Sequence, residues 1–80
     1  MSGVKSDPEA LRRLREQKGL TRPGLSRATE ASGERVSAQR LWDLEQASVG
    51  VRPPTAKAIA DALGVEIEEI TLSDETAVAS

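Results

Sequence analysis

The chain has no cysteine, histidine, tyrosine or phenylalanine, and Trp42 is its single aromatic residue. Each absence excludes something. Without cysteine, neither a disulfide nor a thiolate metal site can hold the chain together. Without histidine, the commonest metal ligand is missing, and so is the one side chain that titrates near neutrality. No metal and no cofactor are expected. No apolar run reaches the ~18 residues of a membrane span. The opening "MSGVKSDPEA" lacks the apolar segment of a secretory signal. A cytoplasmic protein without a membrane partner is the expectation.

What is present is a small aliphatic set: Leu, Ile, Val and Ala. This composition favours packed helices, because strands want more aromatic and β-branched residues. With 80 residues, one small domain is expected, burying about 60–65% of the surface of the unfolded chain. The net charge of −2 hides an asymmetry. Residues 1–40 hold 9 basic and 5 acidic side chains, whereas residues 41–80 hold 2 basic and 8 acidic. A positive face on an acidic protein is compatible with a polyanionic partner.

Punctuation along the chain predicts five short helices. Residues 1–7 read as a flexible leader. Asp7-Pro8 supplies an N-cap and a first helical residue for a helix over 9–18, closed by Gly19. Thr21 caps a second helix over 22–31, and Pro23 is tolerable there only because it lies in the first turn. Gly33 in "SGER" breaks the pattern. Ser37 caps a third helix over 38–46, with Leu41 and Leu44 inward. After the loop "ASVGVRP", Pro53-Pro54-Thr55 opens a fourth helix, "TAKAIADAL", stopped by Gly64. "VEIEEI", 65–70, reads as a fifth. The reading is therefore an all-α domain over 8–71 and a tail over 72–80.

Three segments in this order resemble the Cro/C1 repressor-type (XRE-type) helix-turn-helix domains: "LRRLREQKGLT", "VSAQRLWDLE" and "RPPTAKAIADALGVEIEEI". The likeness runs from about Leu11 to Ile70. It implies a compact five-helix bundle with a lambda repressor-like DNA-binding fold. The second helix would cross the DNA backbone and the third would lie in the major groove. It also implies an ion pair between Arg15 and Glu45, tying the first helix to the third.

Two departures stand out. Leu25 and Val36 lie eleven positions apart, against about six in the domains that the chain resembles, so by that likeness "TEASGER" carries an insertion of roughly five residues, at a loop cost of only ~0.6 kcal/mol per doubling of length. A longer second helix or a looser loop would absorb it. In addition, Arg22 stands where the family commonly has Gln.

On the face opposite Leu41 and Leu44, Gln39 is the best base reader, since its amide matches adenine N6 and N7. Ala38 could meet a thymine methyl. Asp43 could accept from cytosine N4 or be neutralised by Arg40, which otherwise reaches phosphate. Phosphate contacts are expected from Thr21, Arg22, Arg35, Ser37, Arg40 and Arg52. Trp42 has two readings, a groove-rim contact or a core plug beneath the enlarged connection. A lone Trp in a small helical domain favours the core.

The leading functional expectation is a sequence-specific transcriptional regulator binding double-stranded DNA. Dimerisation would use Ile70, Leu72 or Val78 of the last helix and tail. The alternative is a protein-interaction module on the same fold, favoured by Asp43 and the acidic second half. An enzyme is not expected: no catalytic His or Cys and no phosphate loop are present, and so short a chain leaves little room for a substrate pocket.

Overall fold

The computed structural model describes residues 4–72. Within them the order is β1 (Val4–Ser6), α1 (Pro8–Gln17), α2 (Arg22–Ala31), α3 (Ala38–Gln46), β2 (Gly50–Val51), α4 (Pro53–Leu63), a 3₁₀ turn (Ile67–Glu69) and β3 (Thr71–Leu72).

The first three helices start where the sequence places their caps. Asp7 accepts from the Ala10 N–H at 3.2 Å, Thr21 from the Gly24 N–H at 3.1 Å, and Ser37 from the Arg40 N–H at 3.1 Å. Each of these bonds satisfies a donor that the helix itself leaves unpaired. The fourth helix begins at Pro53, two residues before the expected "TAKAIADAL", and has no side-chain cap. The residue at the cap position is Arg52, whose side chain has donors only and cannot accept from the Thr55 N–H, while Pro53 and Pro54 carry no N–H to be served. At its other end, Gly64 adopts φ 74°, a conformation in which a side chain is strained.

The core is aliphatic. Leu11 of α1, Leu25 of α2, Leu41 and Leu44 of α3, and Ala56, Ile59 and Leu63 of α4 are essentially inaccessible, with Val36, Val51 and Ile70 beside them. At about 1.5–3 kcal/mol per buried aliphatic side chain, Leu41 and Leu44 hold α3 against the rest of the domain.

Two expectations are corrected. The fifth helix is a single 3₁₀ turn, not a helix over 65–70. Glu66 and Glu69 form a reciprocal capping box at its start, and the turn ends at Ile70. Ile70 follows it into the core at 2% exposure and is not available to a dimer surface. Val78 and residues 73–80 of the expected tail lie outside the described residues, whereas Leu72 belongs to β3.

The second correction concerns the leader. Residues 4–6 form the central strand of an antiparallel sheet of order β2-β1-β3, with Val4 opposite Val51 and Ser6 opposite Thr71. The fold is thus four α-helices and a small sheet, not purely helical. Strands of two and three residues are too short to leave an alternating pattern in the sequence. Ser6 gives the sheet its purpose. Its hydroxyl is buried and lies 3.2 Å from the carbonyls of both Leu44 and Ala47, and it accepts from the Val49 N–H at 3.2 Å. These are acceptors that the C-terminus of α3 leaves open. The strand therefore seals the end of α3.

The connection from α2 to α3, where the resemblance implied an insertion, is built partly of helix and partly of a tethered loop. The second helix runs through Ala31, and Gly33 turns the chain at φ 110°. Thr29, fully buried, donates to the Ser26 carbonyl at 2.6 Å and accepts from the Val36 N–H at 2.9 Å. Glu34 accepts from the Thr55 hydroxyl and so fastens the loop to α4. Among the described residues, no helix is long and apolar enough to cross a membrane.

Candidate nucleic-acid interface

The inner side of α3 carries a carboxylate as well as its leucines. The Glu45 side chain is fully buried. Arg15 grips it with both arms of its fork, Nε to Oε2 at 2.7 Å and Nη2 to Oε1 at 3.1 Å, while Nη1 donates to the Leu20 carbonyl at 2.8 Å. The hydrogen bond to Glu45 raises the Arg15 pKa above its ordinary value, against the opposing pull of burial. The expected pair is present and ties α1 to α3.

It is not a simple pair. Arg22, at the start of α2, also reaches Glu45 Oε1, from Nε at 3.2 Å and Nη2 at 3.1 Å. The expectation that Arg22 is a phosphate ligand is therefore modified: its guanidinium is aimed at an internal carboxylate. Its side chain is still 30% exposed, and two guanidinium groups on one carboxylate leave a net positive charge where α2 and α3 meet.

The outer side of α3 presents Gln39 and Trp42, exposed, with Ala38 and Asp43 half-buried. Trp42 is 45% exposed, so the core reading is overturned. The space beneath the connection from α2 to α3 holds the buried Thr29 and Val36, joined by a hydrogen bond, and no indole. Instead Trp42, Gln39, Ala38, Arg22 and Pro23 line an open cavity of about 380 Å³ between α3 and the start of α2. The amide of Gln39 donates from Nε2 to Asp43 Oδ1 at 3.2 Å. Arg40 does not neutralise Asp43; its Nη2 donates to the Gly50 carbonyl at 2.9 Å. Asp43 lies on the face opposite the leucines, where its charge cannot reach the core cations, so its partner is the side chain one turn back.

Beside this face, the fold gathers three arginines from separate segments. Arg35, Arg40 and Arg52 line one depression, together with Val36, Val51, Thr55 and the acidic Glu34. No local pattern in the sequence places position 52 beside positions 35 and 40; the segment after α3 is held by the bond from Arg40 to the Gly50 carbonyl and by the pairing of β2 with β1. Thr21 and Ser37 stand at the two helix starts, where both hydroxyls serve as caps. Ser6, Glu34 and Thr55 support the site and were not singled out from sequence. Their signal is three-dimensional, a hydroxyl against carbonyls or a carboxylate distant in the chain.

Among the described residues, no group of three or more acidic side chains could hold a metal ion. No curated protein and no solved structure gives a match. A family model described as a helix-turn-helix domain matches residues 9–72, a span that runs from the first turn of α1 to the end of β3 and includes both helices of the motif. The chain belongs to the helix-turn-helix domain family.

Proposed function

We propose that this protein is a sequence-specific regulator of the Cro/C1 repressor (XRE) type, with α3 in the major groove of double-stranded DNA. One observation carries the reading. The face of α3 turned away from the core is continuous with the start of α2 through Arg22, Pro23, Ala38, Gln39 and Trp42, and the Arg35, Arg40 and Arg52 cluster borders it. A polar edge flanked by cations suits a groove between two phosphate backbones.

In this reading Gln39, Ala38 and Asp43 face base edges. Arg35, Arg40 and Arg52 meet phosphates, with Arg22 shared between Glu45 and the backbone. Thr21 and Ser37 lie where helix starts approach phosphate. Trp42 packs its indole against the sugar-phosphate rim, a use suited to an aromatic ring with one polar end. One domain spans only a few base pairs, so the functional unit is a dimer on half-sites roughly 34 Å apart. Among the described residues, Leu72 on β3 is an exposed apolar side chain that could support it. A cytoplasmic location follows from this role.

A titration of random-sequence duplex at two salt concentrations tests the reading. Each phosphate neutralised contributes ~0.9 to the slope of log affinity against log salt. A steep slope is expected, and no binding at low salt would refute DNA recognition. A second reading, a protein-interaction module on the same fold, is favoured by the exposed carboxylates Asp61, Glu66, Glu68 and Glu69 around the end of α4 and the 3₁₀ turn. It predicts a flat salt response and no retained duplex.

A further inference from the structure

Resting on the DNA-binding reading above, we infer that Asp43 is a positioning residue for Gln39: it fixes the orientation of the Gln39 amide, so that α3 favours a base with an amino group in the major groove, adenine or cytosine, at the position Gln39 faces. The two residues are one helical turn apart, the spacing at which side chains on a helix surface meet. Gln39 Nε2 lies 3.2 Å from Asp43 Oδ1.

A glutamine amide has a donor end and an acceptor end, and an ionised carboxylate can only accept. Turning the Gln39 amide over would set Oε1 against Oδ1, two acceptors with like partial charge. Asp43 therefore holds Nε2 on its own side and leaves Oε1 as the group offered to an outside donor. Arg40 does not relieve the charge on Asp43, because its guanidinium is bonded to the Gly50 carbonyl. The pair thus presents two neighbouring acceptors, one of them charged.

The major groove offers matching donors at only two places, adenine N6 and cytosine N4. Guanine O6 and N7 and thymine O4 are acceptors, and both Oε1 and the carboxylate repel them. Adenine N6 donates to Oε1 while the second hydrogen on Nε2 reaches N7; that hydrogen could also meet guanine N7 or O6, but Oε1 and the Asp43 carboxylate would then face acceptors only, so guanine and thymine are disfavoured. Asp43, a carboxylate on a face that would meet DNA, becomes a device that biases the choice against two of the four bases.

The test is selection of bound duplexes from a random library by the wild-type chain, Gln39→Ala and Asp43→Asn. The base position that Gln39 faces is the one whose preference disappears in Gln39→Ala. There the wild type is expected to favour adenine or cytosine over guanine and thymine by roughly fivefold or more. Asp43→Asn keeps the size of the side chain but offers either a donor or an acceptor. It no longer fixes the amide, and the preference is expected to collapse to within about twofold, with guanine admitted. Both side chains lie on the protein surface, and circular dichroism verifies that the variants keep their helices. Guanine or thymine selected by the wild type would overturn the inference. So would an unchanged preference in Asp43→Asn, or salt-dependent binding in which Gln39→Ala alters no position. Each of these leaves DNA binding intact. Failure of the wild type to retain any duplex at low salt would overturn both the inference and the reading beneath it.

Discussion

Two carboxylates on α3 stand two residues apart and are used in opposite ways. Glu45 points into the protein, fully buried, between Arg15 and Arg22. Asp43 lies on the outer face and accepts a bond from Gln39. Helical geometry alone separates them, since positions two apart do not share a face. The inner carboxylate sets where the helix sits, and the outer one sets what the helix offers. Burial makes the first a matter of stability. Access to solvent leaves the second almost free to serve recognition.

Substitutions can break this comparison in order of expected effect. Glu45→Ala leaves the buried Arg15 without its partner. The cost expected is about 3–5 kcal/mol, read as a fall in the urea midpoint of unfolding. A loss below about 1 kcal/mol would mean that water reaches Arg15 and that the pair does not tie α1 to α3.

Ser6→Ala comes next. It removes the hydroxyl that sits on the Leu44 and Ala47 carbonyls, with an expected loss of about 1–3 kcal/mol in the same measurement. Amide hydrogen exchange should accelerate over the last turn of α3 more than over α1. Uniform acceleration would show that the strand supports the whole domain and not the end of one helix.

Gly33→Ala tests the tethered connection before α3. At φ 110° an alanine is strained, although the space around that position is open. An expected cost of about 1 kcal/mol or slightly more would appear as a lower melting temperature. No change would mean that the loop relaxes to another conformation despite the Thr29 and Glu34 tethers.

Arg22→Ala sharpens the boundary between the two sides. Arg22 is partly exposed, so its ion pair should be worth less than about 1 kcal/mol to folding. If it also takes a phosphate, the salt slope of DNA binding falls by ~0.9. An unaltered slope would assign the guanidinium to Glu45 alone. Asp43→Ala is the mildest change, within about 0.5 kcal/mol in stability. A larger loss would place Asp43 among the structural residues and erase the contrast with Glu45.

The helix starts were legible because each depends on a few adjacent residues: Asp7-Pro8, Thr21 and Ser37 act on N–H groups three positions away. The leucine anchor of α3 was legible from spacing. The Arg15–Glu45 pair was legible only through the resemblance, since thirty positions separate the two residues. Trp42 was misjudged because composition says how often a lone indole is buried, not whether this core has room for it. The contact of Arg22 with Glu45 was missed because a guanidinium with no acidic neighbour in sequence looks wholly free for phosphate. The sheet was missed because β1, β2 and β3 lie far apart in the chain and are short.

Local order was therefore determined by the sequence itself: four helices, the side-chain caps of the first three, their apolar stripes and the glycines that follow α1, α2 and α4 all depend on interactions within a turn or two. What the tertiary structure alone decided is which polar groups meet. It sent Arg22 to Glu45, Ser6 to the end of α3, and Arg52 to Arg35 and Arg40, and it left Trp42 outside. The physical reason is that helix signals are short-range and periodic. The pairing of a buried charge or an orphan carbonyl depends on which distant segment closes over it, and no local pattern encodes that.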